Sequence, residues 1–158
     1  VTPIQLISAY AAIANDGVMK QPHLLQRIGE EPMASYPGKR ILSARTAATM
    51  RSMFSGVVDN DRGTGRKAGI EGYKVGGKTG TANVAGPNGY EKGRYIASFV
   101  GFVPANNPRL VTLVVVNEPK NGYYGGDVAG FVRHAVARAD HLRHIVDGRT
   151  EKNARLGG

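Results

Sequence analysis

The chain has 158 residues, a formal net charge of +9, no cysteine and no tryptophan. Its hydrophobic fraction of 41% excludes an intrinsically disordered chain, which lacks the apolar surface to offset the entropy of ordering. The missing cysteines exclude a disulfide scaffold, a thiolate metal site and a cysteine nucleophile. No apolar run approaches the ~18 residues that cross a bilayer, and the basic residues form no patch interleaved with aromatics of the kind that holds nucleic acid.

Taken in chain order, the first predicted element is a helix. Thr2 is its N-cap, Pro3 takes the first helical position, where a missing N–H is harmless, and Gln5 completes a capping box. Ile4, Ile7, Ala11 and Ala14 recur at helical spacing, and Asn15-Asp16-Gly17 supplies the stop. A short extended piece from Leu24 to Ile28 and a polar loop containing Pro32 and Pro37 come next. Ser43 then caps a second helix, with Ala47, Met50, Phe54 and Val57 on one face and an end near Asp59. Asp59 to Gly72 is polar and glycine-rich, hence loop.

From Tyr73 the period shortens to that of strands, expected from Tyr73 to Val84, from Arg94 to Val103 and from Arg109 to Asn117. Pro87-Asn88-Gly89 joins the first two through a connection longer than a two-residue hairpin, and Asn106-Asn107-Pro108 joins the last two. Short connections make the three an antiparallel meander. Asp127 is expected to cap a last helix with an apolar stripe through Val128, Phe131, Val132, Ala135, Val136, Ala139 and Leu142. Helices before and after a three-stranded antiparallel unit define an α+β class.

The most informative stretch runs from Gly72 to Asn83, GYKVGGKTGTAN. As a string, Gly72, Gly77, Lys78 and Thr79 satisfy the phosphate-binding pattern G-x-x-x-x-G-K-[ST]. That loop needs a buried strand before the glycines and a helix opening at the lysine, whose N-terminal N–H groups hold the phosphates. Ala68 to Glu71 is no buried strand, and Gly80, Gly86, Pro87 and Gly89 forbid the helix. The competing assignment is a Lys-Thr-Gly strand lining the cleft of a serine acyltransferase. The lysine ammonium supplies positive potential for a carboxylate, the threonine hydroxyls hydrogen-bond the same anion, and the Thr81 N–H can face a developing oxyanion. Gly76, Gly77 and Gly80 then make room beside the strand for a peptide. The triplet alone is weak evidence and fits an ordinary glycine-bearing strand with an exposed lysine better.

Three further blocks accompany it in order: Val1-Thr2-Pro3-Ile4-Gln5-Leu6, Arg94-Tyr95-Ile96-Ala97-Ser98-Phe99 and Tyr123-Tyr124-Gly125-Gly126. Together with Gly72 to Ala82 they resemble the C-terminal part of the transpeptidase domain of class B penicillin-binding proteins, above all the division-specific members of Gram-negative bacteria. The likeness covers roughly residues 1–132, and K-T-G stands beside S-x-x-K and S-D-N in the motif set of such enzymes. It implies a β-lactamase/transpeptidase-like fold, of which this chain carries the C-terminal three strands of a five-stranded sheet. Residues 1–147 would belong to that domain and 148–158 to a polar tail.

The resemblance also implies a chemistry. A serine attacks the D-Ala-D-Ala bond of a peptidoglycan stem peptide, D-Ala leaves, and an amine of a neighbouring stem resolves the acyl-enzyme; β-lactams trap that intermediate. Lys78, Thr79, Gly80 and Thr81 would bind the substrate, Lys78 also bonding the serine of the second motif and the Thr81 N–H completing the oxyanion hole. No metal or cofactor is implied. Implied partners are stem peptides, β-lactam antibiotics and divisome proteins including a septal glycosyltransferase, with no nucleic acid. The implied location is the periplasmic face of the inner membrane, held by a transmembrane helix upstream of this chain. Tyr123 to Gly126 are assigned packing.

None of Ser8, Ser35, Ser43, Ser52, Ser55 and Ser98 has a lysine three residues on or an asparagine two residues on. The nucleophile is therefore expected upstream of Val1, and this chain alone is expected to be inactive, its third strand left as an apolar edge prone to aggregate. A non-catalytic peptidoglycan-binding derivative of the same fold and a basic nucleic-acid module are the competing functions. His134, His141 and His144 fall at helical offsets and Asp59-Asn60-Asp61 lies in a polar loop, but neither brings the full ligand set of a metal site. Val128 to Val132 lacks the proline common in the family at the start of the last helix.

Overall fold

The computed structural model describes residues 1–25, 27–32, 36–87, 89–120 and 124–131. Helix α1 (Pro3–Ala14) opens on the expected capping box: Gln5 N donates to Thr2 Oγ1 at 3.3 Å, and Thr2 N donates to Gln5 Oε1 at 2.8 Å. Its buried residues are Ala12 and Ile13, whereas Ile4 is 56% exposed. The apolar stripe counted from the sequence is thus not the buried one. Periodicity reports apolarity along a helix; burial follows whatever packs on it. The C-terminal end of α1 is held by Arg51 of the second helix, whose Nη1 donates to Ile13 O at 3.1 Å and pairs with Asp16 at 2.8 Å. A cation at that end meets the negative pole of the helix.

The chain reverses at Gly17, φ +82°, where a Cβ would lie 2.2 Å from Leu42 O. Only glycine permits that approach, and the Gly17 carbonyl accepts from both Ile41 N and Leu42 N. Two short ladders follow, β1 (Val18–Met19) with β4 (Lys39–Arg40) and β2 (Arg27–Ile28) with β3 (Glu31–Pro32). Of the expected extended piece from Leu24 to Ile28, Arg27–Ile28 form β2. Helix α2 (Ala44–Asp59) is capped by Ser43, whose Oγ accepts from Thr46 N at 3.0 Å.

Strands β5 (Gly76–Gly86), β6 (Gly89–Val103) and β7 (Leu110–Asn117) form an antiparallel sheet in the order β5-β6-β7. The class and the meander are as expected; the strand ends are not. β5 begins at Gly76 rather than Tyr73, β6 at Gly89 rather than Arg94, and Gly86 pairs with Gly89, so the connection is a two-residue hairpin. A register shift between Asn83 and Ala85 carries the ladder on into polar residues, and such an irregularity breaks the simple alternation by which strands are recognised.

β6 is buried without a break from Phe99 to Val103, as befits a central strand covered on both faces. On one face Phe99 and Val103 pack with Val58 of α2, Ala68, Val75 and Ala129. On the other, Phe102 meets Phe54 of α2 edge-on at 6.1 Å, and Phe54 in turn lies 5.4 Å from Tyr10 of α1. β5 and β7 are the outer strands. β7 pairs with no strand beyond β6 among the described residues, and its Val115 is 40% exposed.

A last helix is described over residues 125–131, with Val128 and Ala129 buried. It starts before Asp127, which therefore does not cap it. Asp127 lies in its first turn and pairs with Lys67 Nζ at 2.6 Å. The rest of the predicted stripe from Val132, His134, His141, His144 and the tail 148–158 lie outside the described residues. Among the described residues no helix is long and apolar enough to cross a membrane, and no cluster of three or more His, Asp or Glu side chains is arranged to hold a metal ion.

Candidate active site

Lys78, Thr79, Gly80 and Thr81 sit in the middle of β5, opposite Val100, Phe99, Ser98 and Ala97 of β6. No helix opens at Lys78, so the phosphate-loop pattern is a coincidence of letters. Alternation places Thr79 and Thr81 on one face of the strand and Lys78 and Gly80 on the other. Lys78 is exposed and its ammonium curls over the strand: Nζ donates to Thr79 O at 2.9 Å and lies 3.4 Å from Thr79 Oγ1.

Both threonine hydroxyls are met by segments distant in sequence. Thr79 Oγ1 lies 2.9 Å from Thr64 Oγ1, in the loop after α2. Thr81 Oγ1 accepts from the Gly125 N–H at 3.0 Å, at the start of the last helix. Those two segments are also tied to each other. Lys67 pairs with Asp127, and a Cβ on Gly126 would fall 2.7 Å from Thr64 O. A cavity lined by Thr64, Arg66, Lys67, Tyr124 and Asp127 opens where they meet. Near the hairpin, away from this site, Arg94 bridges Glu91 and Glu118, and its guanidinium holds the Glu118 carboxyl below the usual carboxylate range.

The structure corrects the expected use of the glycines. A Cβ on Gly76 would fall 2.6 Å from the Phe102 ring, and one on Gly77 would fall 2.3 Å from the Phe99 ring. These residues make room for core aromatics of the neighbouring strand, not for a peptide. Gly80 faces the Ser98 hydroxyl, 2.6 Å from where its Cβ would be. The packing assigned to Tyr123-Tyr124-Gly125-Gly126 holds only in part. Tyr123 lies outside the described residues and Tyr124 is 60% exposed. Gly125 does pack, since its Cβ would strike Gly80 O at 2.5 Å and Ser98 O at 2.7 Å.

Sequence reasoning missed Thr64 and the partnership of Gly125 with Thr81. A signal for the first existed: Gly63-Thr64-Gly65 leaves one side chain in a segment otherwise stripped of them. A Cβ on Gly63 would lie 2.3 Å from Val57 O, and one on Gly65 would lie 3.0 Å from the Phe99 ring. The loop is seated tightly on α2 and the core, and Thr64 is what it offers to β5.

Residues 1–138 match the family model described as penicillin binding protein transpeptidase domain. The chain is similar to a probable peptidoglycan D,D-transpeptidase, PenA, of Neisseria gonorrhoeae, 40% identical over 128 residues that cover 80% of this chain and 21% of that protein. It is also similar to the apo TP domain of Burkholderia pseudomallei penicillin-binding protein 3, with a TM-score of 0.75 at 40% identity over 92% of this chain and 43% of that one. Penicillin-binding protein 3 of Mycobacterium tuberculosis complexed with ampicillin gives a TM-score of 0.77 at 29% identity, over 90% of this chain and 35% of that one. The chain spans about a fifth of the length of the curated relatives it matches.

Proposed function

This chain belongs to the penicillin-binding protein transpeptidase family, and we propose that the protein containing it is a septal peptidoglycan D,D-transpeptidase to which the chain contributes one wall of the active site. The observation that carries this reading is the Lys78-Thr79-Gly80-Thr81 segment on an outer strand, with two threonine hydroxyls on one face and a lysine ammonium drawn over their backbone. In the reaction a serine oxygen bonds to the carbonyl carbon of the D-Ala-D-Ala bond, the C–N bond breaks, and D-Ala departs with the proton on its amine. An amine of a second stem then takes the acyl group and returns the serine.

Lys78 supplies positive potential for the terminal carboxylate, Thr79 and Thr81 hydrogen-bond that carboxylate, and the Thr81 N–H stabilises the oxyanion. The serine and its lysine come from outside residues 1–158, since no serine here has a lysine three residues on. The transpeptidase domain extends through residue 147. Partners under this reading are stem peptides, β-lactams and divisome proteins including a septal glycosyltransferase, at the periplasmic face of the inner membrane.

Fluorescent penicillin tests it. The intact protein is expected to label, Lys78→Ala to label on the order of 100-fold more slowly, and residues 1–158 alone not at all. An intact wild-type protein that binds peptidoglycan and takes no label would replace this reading with a non-catalytic scaffold.

A further inference from the structure

The two threonine hydroxyls of β5 differ in how their protons are engaged. A threonine hydroxyl has one proton to give and two lone pairs to fill. Thr81 Oγ1 accepts from the Gly125 N–H, which leaves its proton available. Thr79 Oγ1 has Lys78 Nζ, only a donor, at 3.4 Å and Thr64 Oγ1 at 2.9 Å. The contact between the two hydroxyls has two polarities. With Thr79 as donor, its proton is engaged and cannot serve an incoming carboxylate. With Thr64 as donor, the Thr79 proton is free, on the same face of β5 as that of Thr81.

Resting on the proposed role of Thr79 and Thr81 as the hydroxyls that take the substrate carboxylate, we propose that Thr64 is a positioning residue: its hydroxyl donates to Thr79 Oγ1 and so turns the Thr79 proton toward that carboxylate. A chain of hydroxyls ending on an anion is polarised in one direction and strengthened by it. The loop is built to hold Thr64 there. Gly63 N donates to Asn60 O at 2.8 Å and Gly65 N to Val57 O at 2.9 Å, fixing the backbone on both sides of Thr64. From the other side, Gly126 abuts the Thr64 carbonyl, and the Lys67–Asp127 pair closes the loop on the last helix.

The test compares acylation of the intact protein by benzylpenicillin and by its methyl ester, which lacks the carboxylate charge, each competed against a fluorescent penicillin. Thr64→Val is expected to slow the acid roughly 5- to 10-fold and the ester less than about 2-fold. Thr79→Val is expected to slow the acid more, and Thr64→Val added to Thr79→Val to cost nothing further. Equal losses on acid and ester, or a Thr64 effect that persists undiminished without the Thr79 hydroxyl, overturn the positioning role while leaving the Thr79 assignment intact. A Thr79→Val protein with an unchanged acid-to-ester ratio overturns the Thr79 assignment and Thr64's role with it. Unfolding midpoints are read for every variant, and Thr64→Ala replaces Thr64→Val should the latter fail to fold.

Discussion

Gly77→Ala separates the two uses a glycine-bearing strand can have. The added methyl would sit 2.3 Å from Phe99 Cζ and 2.7 Å from Val100 O, over an ångström short of ordinary contact with the ring. Phe99 is fully buried, with Val58, Ala68, Val75, Val103 and Ala129 around it, so the ring has nowhere to retreat. The carbonyl of Val100 is backbone of the neighbouring strand and cannot swing aside. Overpacking of this kind costs about 1–3 kcal/mol where neighbours relax; with both obstacles rigid we expect about 3 kcal/mol. The transpeptidase domain of the Burkholderia relative is more than twice as long as this chain; at an unfolding entropy of about 2.1 cal/mol/K per residue, a domain of that size would lose roughly 4 °C in Tm. The assay is thermal unfolding of the intact protein, with Gly80→Ala as the comparison. There the nearest atom is the Ser98 hydroxyl at 2.6 Å, a group that can change rotamer, so the loss is expected below about 1 kcal/mol. A Gly77→Ala protein as stable as wild type but slow to bind penicillin would show that Gly77 clears space for ligand after all, and the packing reasoning would fail.

Gly125→Ala would drive a methyl against Gly80 O, Gly80 N and Ser98 O, all backbone, at 2.5–2.8 Å; displacing this segment also removes the donor to Thr81. Penicillin labelling should fall on the order of 100-fold, and wild-type labelling would refute the contact. Arg51→Met removes the bond to Ile13 O and the pair with Asp16 from a side chain only 14% exposed. Urea unfolding should show a loss of about 1–2 kcal/mol, and an unmoved midpoint would count against Arg51 as the clasp of α1. The Glu118 carboxyl is depressed by its bond to Arg94. A depressed carboxyl contributes stability that is present above its unfolded pKa and is lost as pH falls through its folded value. Glu118→Gln should therefore flatten the acid limb of the stability profile at low salt and leave it unchanged at high salt, because the pair is exposed and screened.

Much of the framework was legible because its signals are local. Thr2 with Gln5, and Ser43 with its following turn, announce helix starts within four residues, and the structure places both caps there. The run from Arg94 to Val103 announces a strand by composition, and its burial bears that out. The strand end is not legible where the ladder crosses a register shift after Asn83, and the spacing of apolar residues along α1 does not say which of them are buried, because burial depends on what packs against the helix.

Four ordered blocks coincide far less often than one triplet, so the residues alone carry the family, the class and the identity of the strand that holds Lys78, Thr79 and Thr81. Tertiary structure alone decided what surrounds them. Thr79 finds Thr64 across 15 positions and Thr81 finds Gly125 across 44, and the methyl-free space at Gly77 belongs to Phe99 of another strand. Propensity and periodicity act over one or two turns of chain. Which hydroxyl meets which donor depends on how distant segments close on one another, and only the packed core holds that information.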